Sequence, residues 1–89
     1  MNVIITGTTQ GIGKSLLLTL LKKKEVEIIA INRSEMDYLN LLSDVDRGRI
    51  TPILFDLKDI NETSNLLQLI PKDKLTIDVL INNAGFLVN

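Results

Sequence analysis

The chain has 89 residues, of which 45% are hydrophobic and 24% charged, with a formal net charge of -1. That is a globular composition for one small domain, and the charge offers no electrostatic case for nucleic acid or an acidic membrane. There is no Cys and no His, which excludes disulfides, zinc sites, thiol nucleophiles and imidazole bases together.

Aromatic residues are only 3%, so a core must be built from Ile, Leu and Val. A domain this short buries about 60–65% of its unfolded surface and depends on good packing or on a partner. No apolar run reaches the ~20 residues of a membrane span, and the N-terminus enters a strand with no room for a signal peptide. A soluble, cytoplasmic protein is expected.

The first apolar run, over 3–6, is a short buried strand. It meets Thr6-Gly7-Thr8-Thr9-Gln10-Gly11-Ile12-Gly13, which opens a helix expected over 11–24. On that helix Ile12, Leu16 and Leu20 form one stripe, widened by Leu17 and Leu21, and Lys22-Lys23-Lys24 closes it as a solvated helix end, where cations also suit the negative end of its dipole. Residues 27–31 form a second strand. Ser34 then caps a second helix, with Asp37 at the reciprocal position, running towards Leu42 or Val45. Residues 46–49 make a turn and residues 50–55 a third strand. Asp59 and Glu62 form a capping box for a third helix that stops before Pro71. A polar connection over 72–76 leads to a fourth strand over 77–81.

The strands are near-continuous apolar runs, a pattern of parallel sheets covered on both faces. Right-handed crossovers place the first two helices on one face and the third on the other. The expected fold is therefore α/β: a Rossmann-type doubly wound parallel sheet, β-α-β-α-β-α-β, with strand order 3-2-1-4. Pro52 supports that order, because a proline within a strand belongs at a sheet edge. One dinucleotide-binding domain over 1–89 follows.

The glycine-rich turn carries the first chemical signal. Its glycines let the backbone turn sharply, and the first helical N–H groups, with the dipole, favour an anion. By itself such a turn could be only a tight connection, and its spacing departs from G-x-G-x-x-G. Gly13-Lys14-Ser15 also ends like a P-loop, with Asp56 as a magnesium-holding acid, but Thr8 stands where that motif needs glycine. The second strand ends Asn32-Arg33-Ser34 with no acid at its tip. Arg33 offers a fork for a 2′-phosphate, and Asn32 and Ser34 could add donors. Asp56 after the third strand could accept from an adenine amino group. Asn82-Asn83-Ala84-Gly85 lets backbone lie against a ligand after the fourth.

Together these residues resemble the short-chain dehydrogenase/reductase family. Thr6 to Gly13 matches its T-G-x-x-x-G-(I/L)-G motif, Asn82 to Gly85 its N-N-A-G, and Asp56 its acid after strand three. The resemblance covers the whole chain and corresponds to the N-terminal, nucleotide-binding portion of the family. It implies that Gly7, Thr8, Thr9, Gln10, Gly11, Ile12 and Gly13 hold the pyrophosphate of NADP, or less readily NAD. It assigns Arg33, flanked by Asn32 and Ser34, to the 2′-phosphate, Asp56 and Leu57 to the adenine, and Asn83, Ala84 and Gly85 to the adenosine side. The family exchanges a hydride between alcohols or carbonyls and that cofactor, using a Ser and a Tyr-x-x-x-Lys. Tyr38, the one tyrosine, is followed four residues later by Leu42, so no catalytic residue is carried over, and no metal is implied. These residues are expected to bind a dinucleotide without turning it over. A small non-enzymatic nucleotide-binding or interaction module is the alternative. Self-association through the fourth strand (residues 78–81) and the C-terminal segment, with Phe86, Leu87 and Val88 buried, is expected as well.

Overall fold

The computed structural model describes residues 1–56, 66, 68–74 and 76–83. Four strands, β1 (Asn2–Thr6), β2 (Glu27–Asn32), β3 (Ile50–Leu54) and β4 (Val79–Asn82), form one parallel sheet in the order β3-β2-β1-β4. Pro52 lies on the edge strand, in register with Ala30. It withholds no hydrogen bond from an inner neighbour there, as its missing N–H requires.

Successive side chains alternate between the faces. Val3, Ile5, Ile28, Ala30 and Ile50 point to one, where they pack with Leu17, Leu21, Val26, Met36 and Tyr38. Ile29, Ile31 and Ile53 point to the other and pack with Ile70, bordered by Ile4, Phe55, Leu66 and Ile77. Each fully buried Ile contributes roughly 1.5–3 kcal/mol. Strand β2 buries every residue from Ile28 to Asn32, so it is the heaviest single contributor. Leu66, Gln68 and Leu69 are helical and the helix ends at Ile70 before Pro71, as expected. Its start at the Asp59–Glu62 capping box lies outside the described residues. Among the described residues no helix is long and apolar enough to cross a membrane.

Helix α1 (Gly11–Leu20) is shorter than the sequence suggested, and its buried seam is Gly13, Leu17 and Leu21. Ile12, assigned to the buried stripe, is 78% exposed. The seam is rotated because Gly13, lacking a side chain, lets the first turn lie directly on Gly7. Leu16 and Leu20 flank the seam, partly buried. The last turn tightens through bonds from Lys22 N–H to Thr19 O and from Lys23 N–H to Leu20 O.

The lysines at 22–24 are exposed, a solvated helix end, and among the described residues none of their side chains bonds the carbonyls just beyond it. Arg49 does: its guanidinium donates to the carbonyls of Leu21, Lys23 (2.8 Å) and Val26 (3.0 Å) and pairs with Asp46 at 2.9 Å. A planar fork can span several carbonyl oxygens at once, which a lysine cannot.

The second helix also departs from the expectation. Residues 33–38 are irregular, Leu39–Leu41 is a single 3-10 turn, and α2 (Asp44–Gly48) occupies what was read as a turn. Ser43, not Ser34, is the capping residue, accepting from Asp46 N–H at 3.1 Å. The reason is visible in the burial of residues 35–38. Glu35 and Asp37 are exposed while Met36 and Tyr38 are buried, a two-residue alternation that a helix cannot produce. Strand β4 starts at Val79, later than expected. Asp78 instead accepts from Asn2 N–H at 2.8 Å, and its own N–H donates to Asn2 O, so it ties the start of β1.

Candidate functional site

Parallel pairing brings the carboxyl ends of all four strands to one edge. Thr6 is in register with Ile31 and Asn82, and Ile31 with Ile53, so Gly7, Asn32, Leu54 and Asn83 follow in one row. Gly7 and Gly11 have φ of 73° and 63°, the left-handed backbone that favours glycine. Gly13 is demanded by contact instead: an added Cβ would fall 1.9 Å from the Gly7 carbonyl oxygen.

The turn is fastened to β4. Thr6 Oγ1 donates to Asn82 Oδ1 at 3.0 Å and accepts from Asn83 N–H at 2.9 Å. Asn83 Nδ2 donates to Gly7 O at 3.1 Å. On the other side Gly7 N–H donates to Ile31 O at 3.0 Å. Asn83 is thus placed beside the glycine turn. Ala84 and Gly85 lie outside the described residues, and so does Leu57.

Helix α1 starts with its donors unspent by side chains. Gln10, in the N-cap position, makes no capping bond, and no acid stands in the first turn. Gln10, Gly11 and Ile12 are exposed and Thr9 half-buried, so the N-terminus faces outward from the sheet edge. The structure offers an anion exposed N–H groups and the positive end of the dipole.

Thr8 differs from its neighbours in being wholly buried. Its N–H donates to Asn32 Oδ1 at 2.5 Å, its Oγ1 accepts from Asn32 Nδ2 at 2.8 Å, and its carbonyl accepts from the Tyr38 hydroxyl at 2.6 Å. Asn32 is buried too, and its amide bonds inward to Thr8. Arg33 and Ser34 are exposed at the end of β2, and Arg33 makes no ion pair among the described residues. A cavity of about 330 Å3 opens beside Ser34, bordered by Met36, Leu39, Arg47 and Leu54. Asp56 is exposed just beyond β3.

Two residues of this region make contacts that the sequence does not show. Tyr38 was noted only for lacking a partner lysine, yet its hydroxyl reaches the glycine turn. Burial, more than the nearby Asp37, raises its pKa above the ordinary phenol value of 10.0, with the Thr8 side chain acting in the opposite sense. Lys14 stands where a P-loop would have its phosphate-binding lysine. Its ammonium instead lies over the Tyr38 ring, 4.7 Å from the centroid. The one available signal was the alternation of Met36 and Tyr38 with acids.

A parallel sheet in this order, with a glycine turn between β1 and α1 at its carboxyl edge, has the architecture of the dinucleotide-binding α/β folds. The comparisons narrow this. The family description "short chain dehydrogenase" matches residues 1–89, and the chain belongs to that family. It is 38% identical over 81 residues to a 3-oxoacyl-(acyl-carrier-protein) reductase of Buchnera aphidicola, covering 91% of this chain and 32% of that one. It is 30% identical over 86 residues to an NADP-dependent 3-hydroxy acid dehydrogenase of Schizosaccharomyces pombe, covering 93% and 33%. The fold is similar to that of serine dehydrogenase from Escherichia coli, with a TM-score of 0.73, 24% identity, and coverage of 90% of this chain and 36% of that chain. The chain thus spans about a third of the length of the curated relatives it matches.

Proposed function

We propose that residues 1–89 are the nucleotide-binding part of an NADP-dependent reductase that interconverts a carbonyl and an alcohol. The observation that carries this is the α1 N-terminus, uncapped and free of acid, set on a glycine turn that leaves its first N–H groups outward. Those groups suit a pyrophosphate, with Gly7 to Gly13 as its cradle. Gly13 lets the start of α1 lie directly on that turn, since an added Cβ would fall 1.9 Å from the Gly7 carbonyl oxygen. A bound dinucleotide supplies or accepts the hydride in this family. The proton donor of the reaction is not among these residues, since Tyr38 is committed to Thr8 and has no lysine four positions on. The 89-residue chain is therefore read as binding nucleotide without catalysing turnover.

NADP is favoured over NAD by Arg33. It stands exposed at the tip of β2, no carboxylate occupies Asn32, Arg33 or Ser34, and one relative is NADP-dependent by name. A bidentate contact to a 2′-phosphate is worth about 1.5–3 kcal/mol, or roughly 10- to 100-fold. Titration of NADP+ and NAD+ against wild type and Arg33→Ala tests it. The expected result is a preference of that size, abolished by the substitution. Equal wild-type affinities would refute the NADP assignment.

Self-association belongs to the same reading. Strand β4 forms one edge of the described sheet, and Leu80 on it is 66% exposed. An apolar edge of this kind is a template for pairing with a second copy. Residues 86–88, expected at the contact, lie outside the described residues.

A further inference from the structure

The two anion positions proposed above sit on different segments: the pyrophosphate cradle on the turn after β1, the 2′-phosphate position on the turn after β2. Thr8 joins them. All three of its polar groups are spent on Asn32 and Tyr38, which bracket Arg33 and Ser34 in the chain. The N–H and hydroxyl go to the residue before Arg33, and the carbonyl goes to the residue five beyond it. Neither partner reaches solvent to any extent, and Thr8 is 0% exposed.

The closure is mechanical as well as polar. Met36 and Tyr38 enter the core with Leu17 and Leu21 of α1, so the segment after Arg33 cannot swing away without opening that cluster. Lys14, in the first turn of α1, covers the Tyr38 ring from the helix side. The phenol stays protonated well past neutral pH because burial opposes its ionisation, so its role as donor to Thr8 persists.

We propose that Tyr38 and Asn32 act as a latch on Thr8 that fixes the separation of the two phosphate positions, making Tyr38 a positioning residue for nucleotides that carry both phosphates. The proposal rests on the dinucleotide reading above. A ligand spanning both positions gains from their fixed spacing, because the freedom of one loop relative to the other need not be removed on binding. A ligand touching one position gains nothing.

The test compares 2′,5′-ADP, which carries a phosphate for each position, with 2′-AMP, which carries one. Calorimetric titrations use the 89-residue chain and Tyr38→Phe, which keeps the buried ring and removes only the hydroxyl. Loss of one neutral hydrogen bond should weaken 2′,5′-ADP by roughly threefold to tenfold and leave 2′-AMP within about twofold. Equal losses for both ligands, or none for 2′,5′-ADP, overturn the latch alone. If wild type binds neither nucleotide, the dinucleotide reading falls and the latch with it. Hydrogen exchange supplies an independent readout should Tyr38→Phe lower stability. The Thr8 amide should exchange several-fold faster in the variant, relative to that of Ile29 in the sheet. A parallel change at both amides would mean general loosening and would also overturn the proposal.

Discussion

Replacing Gly13 with alanine is the sharpest probe of the glycine turn. The new Cβ would lie 1.9 Å from Gly7 O, 2.5 Å from Asn83 Nδ2 and 2.9 Å from Gly7 C. Since such contacts are not found below 3.0 Å, helix and turn must separate by at least 1.1 Å, the difference between 3.0 and 1.9. Neither side yields cheaply. Gly7 is held by bonds from its N–H to Ile31 and from Asn83 to its carbonyl, while α1 is held by Leu17 and Leu21 in the core. Overpacking costs about 1–3 kcal/mol, and a backbone obstacle points to the upper end. At about 4–8 °C per kcal/mol for a domain of this size, the melting temperature should fall by about 12–24 °C. Gly11→Ala and Gly48→Ala calibrate the result, since an added Cβ at either meets nothing within 4 Å. Gly11, with φ of 63°, should cost only about 1 kcal/mol, and Gly48, at the end of α2, should be neutral or slightly stabilising. Thermal melts by circular dichroism of the three variants make the comparison. A Gly13→Ala melting temperature within 4 °C of Gly48→Ala would refute the close-approach argument.

Arg49→Ala should destabilise by about 2–3 kcal/mol, because it strips charge-assisted bonds from three carbonyls in the connection between α1 and β2. Arg49→Lys should recover less than half of that, measured by urea denaturation. Tyr38 makes stability sensitive to alkali. Its pKa is raised on folding, so the native state holds the phenolic proton more tightly than the unfolded chain. That contribution is complete below pH 10, the ordinary value, and is lost as the pH rises from there through the folded value. Wild type should therefore lose stability relative to Tyr38→Phe only above about pH 10, and a constant gap in urea midpoints up to pH 11 would contradict this. Leu80→Lys should shift the 89-residue chain towards monomer in sedimentation at micromolar concentration. Leu80 suits that test better than Ile81, which packs against the core and would confound association with folding.

The sheet was legible because its information is local. Each strand is an apolar run rich in β-branched residues, right-handed crossovers leave few topologies, and Pro52 marks an edge without reference to any other residue. The glycine turn was legible for the same reason, since positive φ at Gly7 and Gly11 and contact at Gly13 are properties of one short stretch. The second helix failed where two local rules conflicted. Ser34 and Asp37 satisfy a capping pattern, but Met36 and Tyr38 bury alternate side chains, and two core positions outweigh one exposed cap. A cap is worth about 1 kcal/mol. Two buried side chains are worth several times that, so the alternation prevails over the cap.

Long-range polar contacts were beyond reach for a different reason. Arg49 stands in a stretch that reads as a turn, and nothing in its neighbours indicates the carbonyls of Leu21, Lys23 and Val26. Those acceptors exist only once α1 has ended, and α1 ends early because its last turn tightens to i→i−3 bonding. Tyr38 depends likewise on Thr8, whose carbonyl is turned inward by the left-handed backbone of Gly7 beside it. In both cases a local backbone event exposes acceptors that a distant side chain then takes. The glycine turn therefore does two things at once: it sets the uncapped start of α1 at the sheet edge, and it turns Thr8 inward to the segment that carries Arg33. A substitution that relaxes Gly7 should disturb both. Gly7→Ala should accordingly cost more nucleotide affinity than Gly11→Ala, although both remove a glycine of positive φ, and comparable losses in a titration with NADP+ would separate the two roles.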